Sequence, residues 1–329
     1  MLNIKDLVKP TQKELFKYLK QEFKKATTKD GKYIYLKGEA PILLVAHLDT
    51  VHQEIVKQIC ISEDGNILMS PQGIGGDDRC GVYALLKIWE TCKIKPHLLF
   101  TCDEEIGGVG ARAFAKDYDK NKSLQVDLQN IKCMVEIDRK GNNDAVYYEC
   151  GNKEFEAYIT SKGFKTEIGT YSDIVDLSPV LQVASVNLSS GYYNQHTLHE
   201  YINIQELENV IERVIDIVND TVYEDFPKYE FVEVLYTNKF NHYKSYNSYN
   251  DWYGNGISTD DLWDGYEDLY EIEVDKLLEA VPLELQDMCE DLLQYYLPEE
   301  LQADIEDYGV EFIRELYKEL FGEIKKERK

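Results

Sequence analysis

Five short segments carry the histidines and carboxylates that could hold metal ions and move protons. They are AHLDTV with His47 and Asp49, GGDDRCG with Asp77 and Asp78, CDEEIGG with Glu104 and Glu105, EIDRKG with Asp138, and QHTLHEY with His196. Zinc takes histidine nitrogen and carboxylate oxygen, and a catalytic zinc keeps one coordination position open. Two zinc ions that share a carboxylate need a histidine and a terminal carboxylate each, together with a bridging aspartate. A further carboxylate, free of the metal, is needed to take a proton from attacking water. The five segments meet that count. Adjacent Glu104 and Glu105 offer one carboxylate for each job, because neighbours at the end of a strand point in different directions. The chemistry these residues imply is metal-assisted hydrolysis.

Each segment alone has an ordinary explanation. A lone histidine in an apolar strand is usually structural, an acidic pair usually belongs to a solvated face, and Asp beside Gly usually makes a turn. The conjunction points elsewhere, because three of the five sit where apolar strands end. PILLVAHLD, HLLFTCDEE and CMVEID each run from apolar residues into the acidic or histidine group. In open α/β sheets, sites collect outside the carboxyl ends of the strands.

These segments resemble those of the co-catalytic zinc exopeptidases, the clan that contains the M20, M28 and M42 peptidase families. The resemblance covers roughly residues 30 to 220. It implies His47 as a terminal ligand of one metal, completed by Asp138, with Asp77 bridging and Glu105 and His196 on the second metal. Glu104 resembles the general base. Asp49 resembles the carboxylate that orients the His47 ring and raises its basicity. A cis peptide between Asp77 and Asp78 is also implied. The clan's last motif reads histidine, small hydroxyl residue, two variable positions, acid, here His196, Thr197 and Glu200, so His199 falls on a variable position. His52, His97 and His242 read as ordinary surface or loop residues. Two zinc ions are the expected cofactors, and cobalt or manganese suits the same donors.

M20 enzymes insert a lid or dimerisation domain before their last histidine. Here only roughly 55 to 60 residues separate Asp138 from His196, too few for an independent domain, and they read as strands and short loops. The layout is closest to M28. GTYSDIVDLSP, VASVNL and SSGYYNQHT also resemble the segment before the last ligand in M28 enzymes, whereas DDRCG leans to M42. The activity implied is that of an aminopeptidase cleaving an amide bond in a short peptide or small amide substrate. An M20-type deacylase or carboxypeptidase stays open, with Arg139 as a carboxylate anchor, as does a binding or regulatory module that has lost catalysis. Ser172, Asp173, Tyr192, Tyr193 and Asn194 flank the site as candidate substrate contacts. A glutaminyl cyclase, which shares the M28 fold, generally uses one zinc and fits a full two-metal set less well.

The elements that must position these residues predict a three-layer α/β domain around a mixed, largely parallel central sheet. TQKELFKYLKQEFKKA opens as an amphipathic helix. KYIYLKG and PILLVAHLD follow as strands, and residues 58–69 form a hairpin around Asp64-Gly65. VYALLKIWETC and GVGARAFAKDY read as helices. DAVYYECG and EFEAYITSKG read as a strand pair, and residues 205–219 as the closing helix.

The formal net charge is -25, of which about -16 lies after residue 225. We therefore expect a catalytic domain over 1–225, a Tyr/Asn/Asp-rich linker over 226–270, and an acidic helical appendage over 271–329 that covers the catalytic domain or makes a homo-oligomer contact. Such acidity argues against a nucleic-acid partner. Seven cysteines without paired spacing read as thiols rather than a disulfide framework. The absence of a signal-like or spanning apolar segment predicts a cytoplasmic protein without a membrane partner.

Overall fold

The computed structural model describes residues 3–169 and 171–233 and, beyond them, fourteen residues between 277 and 314. The strands are β1 Thr27–Lys29, β2 Tyr33–Leu36, β3 Ala40–His47, β4 Cys60–Ile61, β5 Ile67–Met69, β6 Pro96–Thr101, β7 Cys133–Arg139, β8 Asp144–Val146, β9 Lys165–Thr166, β10 Ser185–Ser189, β11 Tyr192–Tyr193 and β12 Tyr201–Asn203. The helices are α1 Ile4–Leu7, α2 Gln12–Glu22, α3 Gly76–Thr91, α4 Val109–Lys120, α5 Lys122–Leu128, α6 Lys153–Ser161, α7 Asp173–Leu181 and α8 Ile204–Thr221.

Eight strands pair in the order β1-β2-β6-β3-β7-β10-β8-β9. β6, β3, β7 and β10 run parallel at its centre, and antiparallel strands flank them. β3 shows why the layers form. Its apolar run is buried on both faces, as a central parallel strand requires. Ile42, Leu44 and Ala46 join a core with Leu85, Ile88, Val210 and Val214 from α3 and α8, while Leu43 and Val45 join another with Phe114, Leu124 and Leu177 from α4, α5 and α7. The period-two alternation of one strand thus serves two helical layers.

Helices α1, α2, α5, α6 and α8 start at a side-chain cap. Thr11 caps α2 through the Glu14 N–H while Glu14 reaches back to the Thr11 N–H, a reciprocal arrangement that satisfies two orphan donors. α3 packs closely on β7 at Gly81, where a Cβ would lie 2.2 Å from the Ile137 carbonyl oxygen and 2.4 Å from an Asp78 carboxylate oxygen. Gly81→Ala is therefore expected to destabilise the fold by about 1–3 kcal/mol through overpacking. A lower urea midpoint at unchanged slope would show it.

Two expectations fail. EFEAYITSKG is not a strand: Lys153–Ser161 is helix α6, capped by the Asn152 side chain accepting from the Phe155 N–H. Its buried Phe155 and Ile159 stand one helical turn apart, and that spacing outweighs the apparent alternation. The stretch from Asp138 to His196 accordingly holds two helices, α6 and α7, besides strands and loops. An antiparallel sheet of β11, β12, β5 and β4 also stands apart from the main one, and the 58–69 hairpin belongs to it.

Residues 226–233 begin the stretch expected as linker, yet they pack. Tyr229 is buried against Phe155 and Tyr158 of α6, and Phe226 meets Tyr158 edge-on. Residues 234–276 lie outside the described residues. In a second unit, Asn238–Lys329, the described Leu277, Val281, Leu285, Cys289, Leu301 and Ile313 are buried in one cluster. His242 lies outside the described residues. Cys80, Cys92, Cys102, Cys133 and Cys150 are buried thiols without disulfides. Among the described residues, no helix is long and apolar enough to cross a membrane.

Candidate metal centre and active site

The carboxyl ends of β3, β6 and β7 bring three of the five segments together. His47 is the last residue of β3, Asp138 stands at the end of β7, and Glu104 and Glu105 follow β6. Asp77 and Asp78 begin α3 with non-helical angles and a cis peptide between them, as expected. His196 lies between β11 and β12, in the left-handed region at φ 62°. The small sheet carries this last histidine to the others.

The distances centre on Asp77. Its Oδ1 lies 3.1 Å from His47 Nε2 and its Oδ2 lies 3.3 Å from His196 Nε2. His47 Nε2 is 3.5 Å from Asp138 Oδ1 and 3.9 Å from Glu104 Oε2, and His196 Nε2 is 3.1 Å from Glu105 Oε2. Asp49 Oδ1 stands 3.3 Å from His47 Nδ1. The same carboxylate accepts the backbone N–H groups of Glu104 and Glu105, each at 3.1 Å, so Asp49 holds both the ring and the acidic loop. Asp78 is close enough to His47 and Asp138 to join a metal site. Its oxygens, however, already accept the His47 and Gly81 backbone N–H groups, which gives it a structural job.

The crowding of acids has an electrostatic cost. Burial and the neighbouring Asp77 push Asp138 up to about 8. Burial, aided by Asp138 and Asp173, pushes Glu104 up to about 9. Burial opposes a charge on His47, yet Asp138, Asp49 and Asp77 hold it well above the ordinary histidine value. Hydrogen bonds to Asp77 and Glu105 raise His196 to about 10. Burial works against ionisation of Asp77, and its bonds to His196 and His47 still hold it below the usual carboxylate range. Divalent cations fit this donor set: they offset clustered buried negative charge, and Glu105 Oε1 is buried with no hydrogen-bond partner. Asp77, Glu105 and His196 form one group of convergent donors, and His47 with Glu104 and Glu105 another.

In protein stripped by a chelator, these shifts set a pH dependence. Asp138 and Glu104 titrate near 8 and 9 when folded, against roughly 4 in the unfolded chain. The folded state therefore binds more protons across that window and loses stability as pH rises through it. His196, raised to about 10, adds stability that is complete below its unfolded value of about 6.5 and is lost as pH rises through the folded one. Asp77 opposes these only at the acid end. The melting temperature of chelated protein should fall between about pH 5 and 9, and zinc should flatten the slope. Calorimetry showing a rise over that range in chelator would contradict the charge balance described.

The candidate substrate contacts separate into two sets. Ser172 and Asp173 are fully buried beneath the site, with Ser172 on Glu136 and Asp173 on Thr101, so they are placed to support it rather than to meet substrate. Tyr192 is also buried, and its hydroxyl reaches Asp138 Oδ1 at 3.3 Å. Tyr193 stacks on Tyr201 with ring centroids 4.9 Å apart and bonds Glu206. Asn194 is exposed. Arg139 donates to the Ile168 carbonyl at 3.1 Å and lies 3.7 Å from Asp144.

Three residues escaped the sequence reading. Glu136 is fully buried on β7, and an acid inside the apolar CMVEID run was a usable signal. His97 is buried and bonded to the Tyr35 hydroxyl at 2.7 Å, and the His52 ring is 2.7 Å from Glu200. Neither is the surface histidine that base rates suggest.

Residues 27–176 match peptidase family M28. The chain has an M28-like peptidase core. That match supports a metallopeptidase hydrolase, and zinc is the metal the matched family implies. Among solved structures, aminopeptidase PepT from Bacillus cereus is 15% identical with a TM-score of 0.51, covering 67% of this chain and 97% of that one. A tripeptidase from Staphylococcus aureus is 15% identical with a TM-score of 0.49, covering 67% and 99%. The Bacillus likeness shows that the M28-like core has the α/β fold of that enzyme. No curated protein matches the chain.

Proposed function

We propose that the M28-like core is a di-zinc aminopeptidase acting on short peptides. Asp77 carries the reading, because its two oxygens face two different histidines, 3.1 Å from His47 and 3.3 Å from His196. His47 and Asp138 would hold one ion, Glu105 and His196 the other, and Asp77 both. When bound, zinc supplies Lewis acidity that eases proton loss from water and polarises a carbonyl.

The chain's own residues supply the rest. Glu104, ionised in the field of the cations, takes a proton from the attacking water at its carboxylate. As the water oxygen bonds the carbonyl carbon and the C–N bond breaks, Glu104 returns that proton to the leaving amine. Asp49 fixes the His47 ring and the start of the Glu104–Glu105 loop. Arg139, committed to Ile168 and Asp144, gives little support to a carboxypeptidase. The acidic region 271–329 serves assembly in this reading.

Hydrolysis of free, N-acylated and C-terminally blocked short peptides by zinc-loaded protein tests the assignment. Cleavage confined to free amino termini is expected. Cleavage of acylated members would move it to an M20-type deacylase, and dependence on a free carboxylate to a carboxypeptidase. Zinc bound without turnover would favour a catalytically silent module.

A further inference from the structure

The segment Gly75–Asp77, which leads into the central aspartate, is not held by α3 alone. Gly75 is left-handed at φ 66°, and Asp77 and Asp78 depart from helical angles. The first N–H groups of a helix have no partner within it. Here the Gly75 N–H donates to Glu200 Oε2 at 2.8 Å and the Asp77 N–H to Glu200 Oε1 at 2.9 Å. Glu200 is fully buried, 125 and 123 residues away along the chain. Its Oε2 also lies 2.7 Å from His52 Nε2. A carboxylate accepting two backbone N–H groups leaves the proton on the imidazole side, at His52 Nε2.

His52 has little freedom. Its ring packs against Gly73 so closely that a Cβ there would fall 2.2 Å from Nδ1. Its other surroundings form a cleft of about 210 Å³ shared with Gln12, Thr50, Ile74 and Arg79. Gly76 is equally confined, since its Cβ would lie 2.7 Å from Tyr192 Cβ and 3.2 Å from Glu200 Oε1. The backbone ahead of Asp77 is thus packed on one side and bonded on the other.

We propose that Glu200, clamped by His52, is a positioning residue for the metal centre. It sets the backbone of Asp77 so that the two carboxylate oxygens face His47 and His196. Glu200 also ends the loop that carries His196, so one buried side chain joins that loop to the start of α3. A buried carboxylate is costly unless its acceptors are filled, and three donors fill this one. A glutamine of the same shape keeps only one acceptor oxygen and places an amide N–H₂ against donors.

The proposal rests on Asp77 being a ligand, and its test needs no hydrolysis. In zinc-loaded full-length protein, zinc affinity is read by competition with a chromophoric chelator, and amide exchange is followed at Gly75 and Asp77. Glu200→Gln is expected to weaken zinc by roughly 10- to 100-fold, the usual effect of losing a partner behind a metal ligand, and to speed exchange at both amides. His52→Ala should do the same more weakly, and His52→Gln, which retains an N–H donor, should restore most of the loss. If Glu200→Gln does not fold, the two His52 variants decide. A lower melting temperature with the chelator midpoint and both exchange rates unchanged would mean a purely structural role and overturn the proposal. A wild type without zinc affinity would remove the ligand reading, while exchange at the two amides would still judge the clamp.

Discussion

Glu104→Gln should lower kcat by about 10²–10⁴-fold, the range a positioned general base contributes, while zinc content and KM stay near wild type. The glutamine has the same shape and cannot accept the proton of water. Glu104 is 9% exposed, and its backbone N–H is held by Asp49 at 3.1 Å, a bond the substitution leaves intact. Its carboxylate is pushed up by burial first and by Asp138 and Asp173 among others, so an uncharged side chain relieves repulsion. The fold should therefore survive, and zinc should bind at least as well. Steady-state kinetics beside metal analysis checks this, and a variant within tenfold of wild-type kcat would remove Glu104 from the chemistry.

Asp77→Asn should act on the metals. With one oxygen toward each histidine, at 3.1 and 3.3 Å, Asp77 is the residue that neither half of the site can replace. In the proposed di-zinc centre an amide there would supply one weak oxygen donor in place of a bridging carboxylate, so zinc content should fall from two ions per chain toward one or none and turnover should vanish. Asp78→Asn makes the contrast. Asp78 accepts the His47 and Gly81 backbone N–H groups at 3.2 and 2.8 Å. Its loss should reduce stability by about 1–3 kcal/mol through buried N–H groups left short of an acceptor, with metal affected only secondarily. Two ions retained with wild-type affinity in Asp77→Asn, but lost in Asp78→Asn, would exchange the roles of the neighbours.

The central part of this architecture could be read from the chain because local pattern and tertiary role agree there. β3, β6 and β7 are apolar runs that lead into His47, Glu104 and Asp138, and a parallel strand buried on both faces has no other common sequence form. The α6 region reads wrongly because EFEAYITSKG alternates while also placing Phe155 and Ile159 one turn apart. Only the surface available to bury them decides between the two. Ser172 and Asp173 flank the site in sequence yet lie beneath it, since the N-terminus of α7 points them at Glu136 and Thr101. The small antiparallel sheet and the Glu200 contacts depend on pairings more than 100 residues apart along the chain. No local window contains them.

The two histidines stand in unlike surroundings. The His47 side chain is 1% exposed at the end of a central strand, whereas that of His196 is 54% exposed on a loop between two short strands. In the proposed di-zinc centre, the seat at His47 would have almost no solvent path and the seat at His196 would face water. Release from the two seats would then proceed at very different speeds, and the half-filled protein would be the long-lived species during depletion. In that proposed centre, free zinc in the surroundings would govern the outer seat, and the inner one would keep the centre assembled until the outer is filled again.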